Sequence, residues 1–350
     1  MASENPNVRT LIIRPTSASA ADVLDESVYY VPSNPADLLR ADPDRRAPVS
    51  FVSAGARIAG HLYRPPGAPP NQRTAAVAMC GPFSSVKEQT LPHYAERFAD
   101  AGYTVLTFDP RNFGESEGLP RYHHDPNDVI EDYENAVNHL LTRSDVDPDR
   151  VAVVGVCLGG GYAVSVGGRD KRLRAVASIG GGYRIGETFQ EFVGVEAFAG
   201  LQRTLNGLAM QQFVSGEVAY IPAVAPGISA ATPLAAMPNA EAYSYYTRTQ
   251  EADAPNWTNR VTAASLQLFM MYNSLVHAPL VAPTPLLILH GTRDMVLMPE
   301  YAQQAYDAAI GPKELIWIET HNHIELYDQD PYVSVAAAQA ITWLEQYLAP

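Results

Sequence analysis

Short apolar runs alternate with longer stretches of helical periodicity from residue 49 to the end of the chain. Eight of these runs have the length and composition of strands: 49–52, 57–63, 75–80, 104–108, 151–154, 175–179, 286–290 and 314–318. Helices are predicted between them, at 90–101, 128–143, from 160 onward, 300–309 and 333–348. The first two runs form an antiparallel hairpin, and the later alternation predicts a mostly parallel eight-stranded sheet with helices on both faces, an α/β fold.

The alternation stops after residue 180 and resumes at 286, which leaves about a hundred residues, too many for a loop. This stretch is rich in Phe, Tyr, Met and Ala, and it contains helical patterns near 189–200 and 262–276. We therefore predict a helical cap at 183–283, inserted into a core formed by 47–182 and 284–350. Residues 1–46 are polar and rich in Ser, Pro and Asp, which predicts an irregular arm with one helix near 35–40.

Composition narrows the function classes. The chain has 350 residues, of which 47% are hydrophobic and 18% charged, values typical of a globular, soluble protein. Its net charge of −14 and the lack of a Lys/Arg-rich run argue against a nucleic-acid partner. Residues 1–20 do not resemble a signal peptide, and prolines interrupt the apolar stretch 266–289, so no membrane partner is expected. The chain has 2 cysteines, which favours a reducing cytoplasm over a disulfide framework.

The strongest chemical signal is the sequence GVCLGG at 155–160, where a predicted strand runs into a predicted helix. Glycines on both sides permit a tight turn, and such a turn holds its central residue in a strained conformation with the side chain presented outward. This pattern is a nucleophile elbow with Cys157 as the nucleophile. The dipole of the following helix favours the thiolate form. The alternative is a small buried thiol beside a glycine-rich turn.

A nucleophile at an elbow requires a base and an acid that orients the base, in the chain order nucleophile, acid, histidine. Asp294 follows the strand 286–290 closely and is the candidate acid, although a turn or helix-capping aspartate is the alternative. Two histidines follow the last strand, His321 and His323, and they compete for the role of base. The residues alone leave this choice open.

Acyl-transfer chemistry also needs N–H donors for a developing oxyanion. The backbone N–H of Leu158, at the start of the elbow helix, is one candidate. The second should come from the turn after the strand 75–80, where Pro82 has no N–H to donate and Phe83 is therefore preferred.

The remaining cysteine and histidine candidates are predicted to have structural rather than catalytic roles. Cys80 ends a strand predicted to lie beside the elbow strand, and we expect it to be a core thiol. The adjacent histidines His123 and His124, next to Asp125, lack the spaced partners of a metal site and are expected to be solvated. We therefore assign no metal and no cofactor.

These features resemble the α/β-hydrolase superfamily over residues 49–348. The sequence DPRNFGESEG at 109–118 is similar to the loop after the fourth strand of that superfamily. The elbow is similar to that of dienelactone hydrolases, whose cysteine, histidine and aspartate correspond in role to Cys157, His323 and Asp294. The resemblance implies an α/β-hydrolase fold with a Cys-His-Asp catalytic triad.

A second resemblance concerns the cap. The sequences VKEQ at 86–89 and HIELYD at 323–328 are similar to those of capped bacterial hydrolases related to fungal polyketide transferases. Such proteins process acyl or polyketide intermediates and often carry serine or cysteine at the elbow. This resemblance favours His323 over His321 as the base.

We therefore expect a hydrolase that cleaves an ester, lactone or thioester of a bulky apolar, polyketide-like acyl group through an acyl-cysteine. In a second interpretation, an amine or alcohol resolves the acyl-cysteine, which would make the protein an acyltransferase or cyclase. A third is a ligand-binding protein that has lost catalysis on the same scaffold, against which the three candidate residues argue. The expected partner is a small-molecule acyl substrate, free or carrier-bound. The oligomeric state stays open, a homodimer included.

Overall fold

Nine strands form one sheet in the computed structural model, which describes residues 5–12, 33–69 and 72–349. In chain order they are β1 (Val8–Leu11), β2 (Arg46–Ser53), β3 (Ala56–Tyr63), β4 (Thr74–Cys80), β5 (Thr104–Phe108), β6 (Val146–Val156), β7 (Ala175–Ile179), β8 (Leu286–Gly291) and β9 (Lys313–Ile318). Their spatial order is β1-β9-β8-β7-β6-β4-β5-β3-β2. Within this sheet β3 runs opposite to the other eight strands, so its pairings with β2 and β5 are antiparallel and the rest are parallel. The eight predicted strands are all present.

Helices cover both faces of the sheet, as predicted. They are α1 (Leu91–Asp100), α2 (Pro126–Thr142), α3 (Leu158–Arg169), α4 (Ile185–Val193), α5 (Val195–Ser215), α6 (Ala240–Ala252), α7 (Ala263–Met270), α8 (Pro299–Ala308), α9 (Glu325–Asp328) and α10 (Tyr332–Leu348). In the core, α1 packs against α10 and α2 packs against α3. None of the helices in the described ranges is long and apolar enough to cross a bilayer.

The central strands bring four loops to one edge of the sheet. Every residue of β4, β5, β7 and β8 is buried, which is the pattern of parallel strands covered on both faces. Because parallel strands end on the same side, the loops after β4, β6, β8 and β9 converge there. These loops carry all five candidate site residues.

The N-terminal arm corrects two predictions. Residues 8–11 form β1, a ninth strand that pairs in parallel with β9. An edge strand of 4 residues with a half-buried pattern leaves almost no periodic signal in the sequence. The helix expected near 35–40 does not form: residues 35–37 make a turn, closed by a hydrogen bond from the N–H of Asp37 to the carbonyl of Asn34, and Leu38 then forms an isolated bridge with Gln329. Predictions for residues 1–4 and 13–32 lie outside the described residues.

The inserted segment, residues 183–283, lies between β7 and β8. It contains α4 to α7, two pairs of two-residue strands and a 3-10 helix at Leu275–Val281. The helix predicted at 189–200 is divided into α4 and α5 at Gly194, whose φ of 83° ends the first helix. The helix predicted at 262–276 is shorter, because α7 ends at Met270.

Two hydrogen bonds tie the inserted segment to the loop after β4. The hydroxyl of Tyr246, on α6, donates to the carbonyl of Phe83 at 2.5 Å. The indole N–H of Trp257 donates to the carbonyl of Ser84 at 3.0 Å. Both aromatic side chains are about 1% exposed. The inserted segment therefore holds in place the loop that carries a candidate oxyanion donor.

Candidate active site

Cys157 stands at the turn between β6 and α3. A Cβ atom on Gly155 would lie 1.8 Å from the carbonyl oxygen of Gly159, and one on Gly159 would lie 2.1 Å from that of Cys80. Neither position has room for a side chain. Cys157 itself has φ 59° and ψ −127°, a conformation that non-glycine residues adopt only when the surrounding structure enforces it. The local sequence therefore forms the strained turn that the glycine spacing predicts.

The backbone around Cys157 is fixed by hydrogen bonds. Its N–H donates to the carbonyl of Ile179 at 2.9 Å, and its carbonyl accepts from the N–H groups of Gly160 and Gly182 at 2.9 and 3.1 Å. The Cys157 side chain borders a cavity of about 190 Å³. A rigid turn thus presents the thiol to an enclosed space.

Asp294 and His323 meet beside the elbow. The Nδ1–H of His323 donates to Oδ2 of Asp294 at 2.5 Å. The other carboxylate oxygen, Oδ1, accepts from the N–H groups of Val296 and Leu297 at 2.9 and 2.7 Å. Both side chains are buried, with 2 to 3% exposure. Asp294 therefore orients the imidazole while backbone donors orient Asp294.

The electrostatics favour a charged His323. Burial alone would lower the pKa of His323, but the charge of Asp294, the nearby Cys157 and the hydrogen bond to Asp294 raise it well above its usual value. Burial alone would raise the pKa of Asp294. The charge of His323 and its hydrogen bond to the carboxylate outweigh this effect and hold the pKa of Asp294 below its usual value. Cys157 also acts electrostatically on His323, so the thiol lies within electrostatic reach of the imidazole.

His321, the competing histidine, points elsewhere. Its Nδ1 lies 3.0 Å from Oε1 of Glu325 and 3.2 Å from the hydroxyl of Tyr332, and its backbone N–H donates to Glu325 as well. The hydrogen bond to Glu325 raises the pKa of His321. The structure therefore brings His323, and not His321, next to Asp294.

The two candidate oxyanion donors flank the same cavity. Phe83 and Leu158 both line it with Cys157, and each is 1% exposed. The N–H of Gly159 donates to the carbonyl of Gly81 at 3.1 Å, which joins the elbow to the loop after β4. The ring of Phe83 stacks on Phe269 of the inserted segment, with ring centroids 4.3 Å apart. Both donor positions are consequently held close to the thiol.

Buried Lys87 anchors the other end of the loop after β4. Its Nζ lies 2.8 Å from Glu88, 2.9 Å from Asp109 and 2.6 Å from Glu115. Its backbone N–H also donates to Asp109 at 2.7 Å. The sequence marked this position only through the resemblance of VKEQ at 86–89. The structure shows an ion-pair cluster that connects the loops after β4 and β5.

Two residues beside the triad positions escaped the sequence analysis. The hydroxyl of Tyr327 lies 3.0 Å from Nε2 of His323. Tyr327 lies in the sequence HIELYD at 323–328, but no local signal marks its contact with His323, which precedes α9. Glu241 lines the cavity and accepts from the N–H of Ile324 at 2.8 Å. No sequence signal points to Glu241, since its place depends on how α6 packs.

The remaining candidates have structural partners. Cys80 is 2% exposed, and burial raises the pKa of its thiol strongly. His124 is buried rather than solvated as expected, and its Nε2 lies 2.7 Å from the hydroxyl of Tyr162. Burial lowers the pKa of His124 to about 3, so it is neutral. His123 is half-buried, with Nδ1 at 2.9 Å from the hydroxyl of Thr262.

Several known proteins are similar to this chain in sequence. Residues 87–330 match the family described as "Serine aminopeptidase, S33". Thiohydrolase aneE of Aspergillus aculeatus is 30% identical over 306 residues, which cover 86% of this chain and 93% of that protein. Polyketide transferase claH of Penicillium crustosum is 27% identical over 270 residues, 75% of this chain and 84% of that protein.

A solved structure agrees in fold. The α/β-hydrolase GrgF from Penicillium sp. sh18 superposes with a TM-score of 0.73 at 23% sequence identity, covering 87% of this chain and 99% of that one. The sheet, its helices and the family match together establish the α/β-hydrolase fold. The chain belongs to the S33 serine aminopeptidase family of α/β-hydrolases.

Proposed function

We propose that this protein hydrolyses an ester, lactone or thioester of a bulky apolar acyl group through an acyl-cysteine on Cys157. The observation that carries the proposal is the hydrogen-bonded pair of His323 and Asp294 in the same site as Cys157, which lines an apolar cavity. The name of the thiohydrolase relative supports a thioester among the substrates. The family's description names serine, whereas this chain has cysteine at the elbow, so the proposed mechanism is that of a thiolate.

In the proposed reaction, His323 accepts the proton of Cys157, and the thiolate attacks the acyl carbonyl carbon. The N–H groups of Phe83 and Leu158 stabilise the oxyanion. As the bond to the leaving group breaks, His323 gives the proton to that group. Water then attacks the acyl-cysteine while His323 accepts its proton, and the carboxylic acid leaves as Cys157 regains a proton.

The cavity supports the choice of an apolar acyl group. Apolar side chains from the inserted segment and from the loop after β8 form most of its wall: Ile185, Phe189, Phe192, Val193, Ala236, Met237, Phe269, Val296 and Leu297. We propose that the inserted segment acts as a lid, since it covers the thiol and excludes water from the acyl-enzyme. Other aromatic residues of this segment, including Tyr245, Tyr246 and Trp257, are buried in its own packing.

A substrate series tests this proposal. For thioesters with one leaving group, kcat/KM should rise with acyl length by up to about fourfold per buried CH₂ until the cavity is filled. Phe189→Ala should flatten this rise, because Phe189 lines the cavity. Phe213→Ala is the matched control, since Phe213 is 86% exposed on α5. A preference for acetyl over every larger acyl group would contradict the proposal.

Acyl transfer is the second candidate, and the polyketide transferase relative favours it. The acyl-cysteine would be the same, with an alcohol or amine in place of water. Product analysis at increasing acceptor concentration separates the two functions. For a hydrolase we expect the free acid at every acceptor concentration, whereas a transferase would form ester or amide and would turn over slowly without an acceptor.

A further inference from the structure

Glu241, near the start of α6, is a buried carboxyl that the proposed mechanism does not use. It is 4% exposed and lines the same cavity as Cys157. Its Oε1 accepts from the N–H of Ile324, the residue that follows His323, at 2.8 Å. The charges of His323 and Asp294 both act on it. The carboxyl therefore lies within the electrostatic reach of the reacting groups.

The other polar side chains of the cavity wall are engaged within their own helices. The hydroxyl of Thr188 donates to the carbonyl of Arg184 at 2.9 Å, one turn back in α4. The side-chain oxygen of Asn239 accepts from the N–H of Ala242 at 2.7 Å and caps α6. Among the described residues that line the cavity, Glu241 and Cys157 are the ionisable ones. Glu241 is thus the polar group most able to meet a ligand.

The carboxyl has capacity for a further hydrogen bond. The hydrogen-bond donor described for it is the backbone N–H of Ile324, and a carboxylate offers about four acceptor positions. No arginine or lysine in the described part of the chain forms a salt bridge with it. Burial, the largest effect, raises the pKa of Glu241 to about 7, although the charge of His323 acts to lower it. A buried carboxyl with unfilled acceptor positions is unfavourable unless a ligand supplies a donor.

We propose that Glu241 selects acyl groups that carry a hydroxyl a few bonds from the reacting carbonyl, such as 3-hydroxyacyl thioesters, by accepting a hydrogen bond from that hydroxyl. The inference rests on the proposed function, since it concerns the substrate of the same site. A neutral hydroxyl fits this position better than an ammonium group, because the rest of the wall is apolar and would not solvate a cation. The substrate is then apolar along its chain and polar near its carbonyl.

The test is a matched pair of thioesters that differ only in the 3-hydroxyl. In the wild-type protein assayed at pH 9, where the Glu241 carboxyl with its pKa of about 7 is ionised, kcat/KM should be about tenfold higher for the hydroxyacyl member, the size expected for one hydrogen bond to a charged acceptor. Glu241→Gln should bring this ratio close to one, because the amide oxygen can still accept from Ile324 but carries no charge. Glu251→Gln, at an exposed position on the same helix, should keep the wild-type ratio.

The ratio separates selection from a structural role. If Glu241 merely held the loop of His323, Glu241→Gln would lower kcat/KM for both thioesters equally and leave their ratio unchanged, which would overturn the inference. A wild-type ratio of one would overturn it without any variant. If turnover requires Cys157 but kcat/KM is the same with and without the 3-hydroxyl, only the role of Glu241 in selection is contradicted. If turnover does not require Cys157, the proposed function itself is contradicted.

Discussion

Cys157→Ala should abolish turnover while the protein keeps its fold. The sulfur is the only nucleophilic atom of the elbow, so its loss should lower kcat/KM by at least about 10⁴-fold. The turn should survive, because Gly155 and Gly159 provide its space and alanine has the same Cβ as cysteine. Thioester hydrolysis and thermal unfolding by circular dichroism measure the two effects. Acid quenching during turnover should leave an acyl adduct on the wild-type protein and none on the variant.

Cys80 supplies an internal control for the assignment of the nucleophile. It is buried at the end of β4, and burial raises the pKa of its thiol strongly, so its thiolate is scarce. Brief treatment with iodoacetamide followed by peptide mass mapping should label Cys157 well before Cys80. Cys80→Ala should keep both the label on Cys157 and the turnover. Equal labelling of the two thiols, or full activity in Cys157→Ala, would reject Cys157 as the nucleophile.

The strands could be predicted because burial leaves a direct trace in the sequence. Strands covered on both faces need a continuous apolar run, and β7 was predicted with its observed bounds, Ala175–Ile179. β1 could not be predicted in the same way, because a half-buried edge strand of 4 residues depends on its partner β9, about 300 positions away in the chain. Local signals therefore locate the core of the sheet and the edge strand β2, but they miss the edge strand β1.

The candidate site residues also fall into two groups, those that local sequence predicts and those whose position depends on tertiary packing. Cys157 follows from glycine spacing and Asp294 from its place after a strand, both local signals, while the choice of His323 over His321 needed a family resemblance. Glu241 reaches the cavity only because α6 packs over the loops after β4 and β9, as the contacts of Tyr246 with Phe83 and of Glu241 with Ile324 show. Tertiary packing of an insertion has no local periodicity to predict it.

His323→Ala should lower kcat/KM by roughly 10³-fold or more, the usual cost of removing a general base that acts with its nucleophile. In the proposed mechanism the imidazole acts between Cys157 and Asp294, and its Nδ1 lies 2.5 Å from Oδ2 of the carboxylate. Without it, the thiol has no adjacent base, and Asp294 becomes a buried carboxylate without its cationic partner. We therefore also expect a lower melting temperature, measured beside kcat and KM.

His321→Ala is the matched control, since it removes the same imidazole two residues earlier in the same loop. Its partners are Glu325 and Tyr332 rather than Asp294, so we expect at most a severalfold loss of kcat/KM, of the order produced by one lost hydrogen bond at a distance from the reacting atoms. The two substitutions are therefore expected to lower kcat/KM to very different extents, although the histidines are only two positions apart in the sequence. A large loss in His321→Ala together with a small one in His323→Ala would show that the base is His321 and that the loop after β9 turns differently.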